Sequence, residues 1–183
     1  MVNLTKINKK EVAFRQLKTA IHLFITDDDS VSTYTLVRAS EEILDKLCAK
    51  SGLPRSVMHQ GINDLVISPE HKKVLFLKLN KPKNYFKHAD RDADEEMEWA
   101  SGVIEHFISD CISMYKRLTP ESAVPCEFEA FSVIYRIRNK DMFEPSQSDD
   151  LDYNIENISK LIDEEGLQWV YNHIIEACCK LRP

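Results

Sequence analysis

Between Asn8 and Thr26 the apolar residues Phe14, Leu17, Ile21, Phe24 and Ile25 follow one another at intervals of three, four, three and one. Those intervals gather them on one stripe of an α-helix, whereas in a strand they would scatter over both faces. The first segment is therefore expected to be helical, ending near Asp27, Asp28 and Asp29, a run that terminates one helix and caps another. Ser30 can cap a second helix that runs to about Lys50, with Tyr34, Val37, Ile43, Leu44, Leu47 and Cys48 as core candidates and Gly52 as the stop. Two long helices joined by so short a polar turn should pack antiparallel.

The same period recurs along the chain. Leu53 to Ile67, with Gly61 ahead of the apolar Leu65, Val66 and Ile67, reads as a loop or short helix. Ser68-Pro69-Glu70 has the chemistry of a helix start: a hydroxyl cap, a proline at the first helical position, then an acid facing the positive end of the dipole. That helix carries Val74, Leu75, Leu77 and Leu79 and is expected to stop before Pro82. From about Ala93 to Leu118 a long helix is expected, with Met97, Ala100, Ile104, Phe107, Ile108, Cys111, Ile112 and Tyr115 on its apolar face and Asp94, Glu95 and Glu96 in its first turn. Thr119-Pro120-Glu121 and Pro125 announce a helix through Phe128, Phe131, Ile134 and Tyr135 toward Asn139. A loop from Phe143 to Asp152, containing Pro145, precedes two further helices, about Tyr153 to Glu165 and Leu167 to Leu181, parted by Gly166. The expected architecture is an all-α bundle of about seven helices in a single domain, 1–183, with a main bundle over 1–118 and C-terminal helices 119–183 packed on it.

Composition narrows the class. A chain of 183 residues with only four glycines and a net charge of -6 is long enough for a real core. Five cysteines, at 48, 111, 126, 178 and 179, form no CxxC pair and cannot all pair within one chain, which suits a reducing, cytoplasmic setting. No apolar run approaches the ~20 residues of a membrane span, and Met1 to Glu11 lacks the apolar core of a secretion signal. The acidic balance speaks against nucleic-acid binding through net charge, although a local lysine face can still attract an anion. No cofactor motif is present.

Reactive side chains concentrate in Asn84 to Asp92, at a sharp charge boundary. Lys72 to Ala89 holds six lysines and no carboxylate; Asp90 to Glu98 holds six carboxylates and one arginine. A histidine flanked by an amide, a cation and carboxylates can act as general acid or base, with Asp90 or Asp92 orienting it. On the plainer reading, Tyr85 and Phe86 anchor a connector, Asp90 and Asp92 cap the next helix, and His88 is merely exposed.

Lys83-Asn84, three intervening residues and His88 resemble the signature of HEPN domains, helical bundles in which an arginine, a polar residue and a histidine form a small RNase site near a helix start. The resemblance implies Asn84 as the polar partner and His88 as the histidine assisting attack by the ribose hydroxyl. Lys83 stands where that family has arginine, and lysine lacks the planar fork that grips a phosphate twice. Phe14-Arg15-Gln16-Leu17, Thr19-Ala20-Ile21, Asp29-Ser30-Val31-Ser32, Ala39 to Leu44 and Asn84 to Asp90 are also similar to a set of uncharacterised bacterial helical proteins carrying Asn, two aromatics and Lys-His-Ala-Asp in the same order. That likeness spans roughly the first 120 residues and implies no established activity.

Metal binding is a third reading. His88, Asp90 and Asp92 alternate at spacing two, with Asp94 and Glu96 beyond. As a calcium loop starting at Asp90, however, Glu95 would occupy the glycine position and Ser101 that of the bidentate glutamate, and no Glu-x-x-His pair occurs. No residue is accordingly assigned to a metal. His22 and His106 read as helix-face histidines, and Trp99 and Trp169 as core or dimer contacts.

Two classes of function stay open. One is a non-catalytic interaction module whose lysines Lys72, Lys73 and Lys78 meet an acidic partner. The other is an HEPN-like, metal-independent RNase or RNA-binding protein, in which Lys83, Asn84 and His88 form the site, Lys87 and Arg91 hold phosphate, and a homodimer pairs two sites.

Overall fold

The computed structural model describes residues 4–64, 68–88, 90, 93–143 and 149–181, with backbone alone for 149–155. Leu65, Val66, Ile67, Ala89, Arg91, Asp92 and Pro145, all invoked above, lie outside the described residues. Among those described every regular element is helical, and the chain divides into two compact units, Met1–Leu118 and Thr119–Pro183.

In the first unit, α1 (Lys9–Ile25) and α2 (Ser30–Lys50) form an antiparallel pair. Asn8 caps α1 by accepting the Glu11 N–H at 2.9 Å. Of the stripe read from sequence, Leu17, Ile21 and Ile25 are buried while Phe14 and Phe24 are half-buried at its margin; Ala13 and Ala20 complete the covered face, and Ser40 of α2 donates to the Ala13 carbonyl at 3.0 Å. The cap of α2 is Asp29, not Ser30. Its carboxylate accepts the N–H groups of Val31 (2.9 Å) and Ser32 (3.2 Å) and the Ser32 hydroxyl, and a carboxylate outcompetes a hydroxyl for those orphan donors.

After α2 come α3 (Val57–Asp64), α4 (Pro69–Tyr85), a 3₁₀ turn (Ser101–Val103) and α5 (Ile104–Arg117). Two boundaries depart from expectation. α4 does not stop before Pro82 but carries it inside, ending at Tyr85. Proline there removes a single ladder bond close to the helix end, and Phe86 N–H, bonding to the Pro82 carbonyl at 3.0 Å, closes the last turn. Nor does α5 begin near Ala93: residues 95–100 are irregular, and the helix starts only where Ile104, Phe107, Ile108, Cys111, Ile112 and Tyr115 supply a continuous buried face. The acids Asp94, Glu95 and Glu96 thus line an exposed connector rather than a first turn, and Asp90 caps no following helix.

The second unit contains a 3₁₀ turn (Glu121–Ala123), α6 (Cys126–Arg138), a further 3₁₀ turn (Lys140–Met142), α7 (Asp149–Glu165) and α8 (Leu167–Leu181). Phe128, Phe131 and Ile134 are buried as expected. α7 starts at Asp149, within the stretch expected to be a loop and ahead of the expected start near Tyr153. Gly166 adopts φ +88°, a left-handed stop that suits glycine, and α8 follows at once. No described helix is long and apolar enough to cross a membrane.

Candidate functional site

α4 is held at its C-terminal half by bonds that reach past its own side chains. The Tyr34 hydroxyl donates to the Leu79 carbonyl (3.3 Å), Arg38 Nη2 to Asn80 Oδ1 (2.7 Å), and Lys83 Nζ to Glu42 Oε2 (2.6 Å). Just beyond, Phe86 packs edge-on into a cluster with Tyr34 (5.8 Å between ring centres) and Trp99 (5.1 Å), and the Trp99 indole donates to Ser30 at 3.0 Å. Tyr85 donates its hydroxyl to the Glu95 carbonyl at 2.5 Å, closing the connector. Phe86 and Trp99 thus anchor the segment in the first unit.

Lys83 and Asn84 consequently sit in the last turn of α4, and His88 lies beyond it, its N–H bonded to the Asn84 carbonyl at 3.0 Å. Asn84 and His88 are exposed. No described side chain hydrogen-bonds the His88 ring. Lys83 is committed to Glu42, and its hydrogen bond, then its charge, hold that carboxyl below the usual range against the opposing effect of partial burial. The three residues are brought close in sequence order at a helix C-terminus, with no second charged group converging on His88 among the described residues. No three His, Cys, Asp or Glu side chains cluster as metal ligands among the described residues either.

The lysines fall into two grooves on either side of the Lys83–Glu42 pair. One, of about 700 Å³, is lined by Pro69, Phe76 and Leu77 with Lys72, Lys73 and Lys83 at its edge and Asn80 and Asn84 between. Lys72 also donates to the Asn63 carbonyl at 2.5 Å. The other, of about 350 Å³, sets Ala39, Ile43 and Leu47 among Lys9, Lys46 and Lys87. Lys78 is exposed on α4 but lines neither groove. Lys9 and Lys46 were missed in the sequence because their contribution depends on α1 and α2 lying beside the end of α4.

Beneath α4 lies a polar network that the sequence reading also passed over. Arg38 and Glu41 are fully buried on α2, with Arg38 Nη1 3.4 Å from Glu41 Oε2 and the His59 ring 3.4 Å from Glu41 Oε1. The Arg38 guanidinium lies 4.1 Å above the centre of the Phe107 ring. Asp45 accepts from Arg55 Nε (2.9 Å) and Nη2 (2.5 Å) and from the Ser56 N–H (3.2 Å). Burial pushes the Asp45 carboxyl up, but these bonds outweigh it and leave the group below its ordinary range. Asp110 accepts from the Ser56 hydroxyl (2.7 Å) and the Val57 N–H (3.0 Å), so a buried carboxylate of α5 caps α3. A legible signal existed: Tyr34, Arg38, Glu41, Asp45 and Cys48 recur at helical spacing on the apolar stripe of α2.

Two of the buried thiols are held in their protonated form. Burial raises Cys111 well above its ordinary value and, with less force, Cys48. In the second unit Trp169 is 40% exposed, so of the two places expected for it, core or dimer contact, the core does not hold it, and it stacks on His173 at 3.6 Å; Cys178 is half-buried and Cys179 exposed.

No protein-family model matches this chain, and neither a curated protein nor a solved structure does.

Proposed function

We propose that this chain is a non-catalytic interaction module that receives an acidic, amphipathic protein segment in the groove along α4. The observation that carries the reading is the composition of α4: none of its 17 residues is fully buried, and Val74 (48%) and Leu77 (61%) stand exposed among lysines. A helix fixed by Arg38, Tyr34 and Glu42 yet left with apolar side chains in water is incomplete as a structural element. An incoming helix whose leucines cover Leu77 and whose carboxylates meet Lys72 and Lys73 would complete it. Burying one leucine contributes about 1.5–3 kcal/mol, and the lysines speed encounter more than they add affinity.

Anisotropy of a labelled, leucine-containing polyglutamate peptide tests this against a labelled single-stranded RNA of equal charge. The peptide should bind, Lys72→Glu/Lys73→Glu/Lys78→Glu should weaken it by about 10-fold or more, and His88→Ala should leave it unchanged. Cleavage of the RNA that disappears in His88→Ala would replace this reading with the RNase one. Absence of peptide binding to the wild-type chain would sink it.

A further inference from the structure

Charge is divided unequally between the two units. Met1–Leu118 carries eighteen Lys and Arg against seventeen Asp and Glu, a net of +1, whereas Thr119–Pro183 carries six against thirteen, a net of -7; together they give the overall -6. The -6 of the whole chain thus belongs to its C-terminal third.

The two units also present matching surface patterns. On α4, exposed Leu77 has Lys73 one turn before it and Lys81 one turn after, all solvent-facing. On α7, exposed Leu161 (38%) is followed one turn later by Glu164 and Glu165, both exposed. Exposed Lys160 adjoins Leu161 in sequence, but one turn away, on the leucine's own face, the charges beside each leucine are of a single sign, and the signs are opposite. Leu161 is also accompanied in this unit by exposed Trp169, a residue type favoured at the centres of interfaces.

We propose that the lysine-edged groove of α4 receives the acidic α7 face of a second copy of this chain, a partner assignment that rests on the reading of α4 as a docking surface. Leu161 of one copy would cover Leu77 of the other while Glu164 and Glu165 meet Lys81 where the two helices run in the same direction, or Lys73 where they run in opposite directions. Each copy has one groove and one acidic face, so the contact is between unlike surfaces. It closes into a pair when two copies exchange faces and extends into a chain when they do not. Because the charges remain at the edge of the contact, salt weakens it: the screening length falls from about 10 Å at 0.1 M to about 3 Å at 1 M.

A charge exchange tests the proposal on the full chain. Molar mass by light scattering should rise with protein concentration in about 50 mM salt and fall to the monomer value in about 1 M salt. Lys73→Glu/Lys81→Glu alone and Glu164→Lys/Glu165→Lys alone should each lose about 10-fold or more in association, since each now opposes like charges. Mixed one to one, the two variants should associate again, because the reversed groove of one matches the reversed helix of the other. All four residues are exposed, and unchanged melting of both variants confirms that they fold. A wild-type chain that is monomeric at every concentration in low salt, or a mixture that stays monomeric while both variants melt normally, overturns the proposal. A monomer that still binds the polyglutamate peptide through Lys73 and Lys81 overturns only the second-copy assignment; failure of both overturns the docking surface itself.

Discussion

Arg38→Met should destabilise the first unit by about 4 kcal/mol, and a second substitution, Glu41→Leu, should restore most of the loss. Arg38 is wholly buried, and its guanidinium lies 3.4 Å from the equally buried Glu41 carboxylate, whose other oxygen faces the His59 ring at the same distance. Removing one member of such a pair costs about 3–5 kcal/mol because the other charge is left without compensation. The 2.7 Å bond to Asn80 adds about 1 kcal/mol, and methionine recovers part of the packing over Phe107. In Arg38→Met/Glu41→Leu the stranded charge is gone, so the remaining cost should be on the order of 1 kcal/mol, about 3 kcal/mol less than that of Arg38→Met alone. The chain has two tryptophans, and Trp99 belongs to the first unit while Trp169 belongs to the second. Urea unfolding followed by Trp99 fluorescence in a Trp169→Phe background therefore reports on the first unit alone. The expected loss for the single variant corresponds to a melting temperature lower by roughly 15 °C or more. A cost below about 1 kcal/mol for Arg38→Met, or a double variant as unstable as the sum of its singles, would refute the account of Arg38 as the charge that lets Glu41 remain buried.

Three further outcomes follow from named contacts. Asp110→Ala leaves the buried Ser56 hydroxyl and the Val57 N–H without their acceptor, so it should cost about 2–4 kcal/mol and speed hydrogen exchange in α3 ahead of α1 and α2. Asp45 titrates below its unfolded value of about 3.9 because Arg55 and the Ser56 N–H favour its charged form against burial. Its contribution is hence fully present above that value and lost as pH falls through the lower, folded one; acid unfolding below about pH 4 should flatten in Asp45→Asn, and an unaltered acid limb would count against it. Leu77→Ala should change stability by less than about 0.5 kcal/mol while weakening peptide binding about 10-fold; a drop in melting without a drop in affinity would mean that Leu77 serves the fold.

Much of the fold can be read in the sequence because burial here follows a helical period. Leu17, Ile21 and Ile25 in α1 and Phe107, Ile108, Cys111 and Ile112 in α5 repeat at intervals that only a helix can gather on one face. Boundaries were less legible where a local signal competed with packing. Pro82 looks like a stop, yet one missing N–H near a helix end is cheap when Tyr34, Arg38 and Glu42 hold the same turn. Asp94, Glu95 and Glu96 resemble a helix start, but none of residues 93–103 is fully buried, so such a helix would have no covered face before Ile104. The candidate site divides in the same way. Six lysines in one stretch point to the region of α4 as the interacting surface, whereas the second groove needs Lys9 and Lys46, which lie on α1 and α2. Arg38, Glu41, Asp45 and Asp110 escape notice because charged side chains are read by default as surface; for the three on α2, their spacing on the apolar stripe is the sign of burial, whereas Asp110 is revealed by its distant partners Ser56 and Val57. His88 shows the reverse: its neighbours in sequence look reactive, but the ring itself stands in solvent.

Hydrogen exchange along α4, with and without the acidic peptide, tests the docking claim most directly. Since no α4 residue is fully buried, its amides should exchange faster than those of α1, α2 and α5 in the free protein. The peptide should slow residues 72–84 specifically, and Lys72→Glu/Lys73→Glu/Lys78→Glu should remove that protection while exchange elsewhere stays the same. Unchanged exchange in α4 at saturating peptide, or protection confined to another helix, would contradict the claim that this groove is where the chain meets its partner.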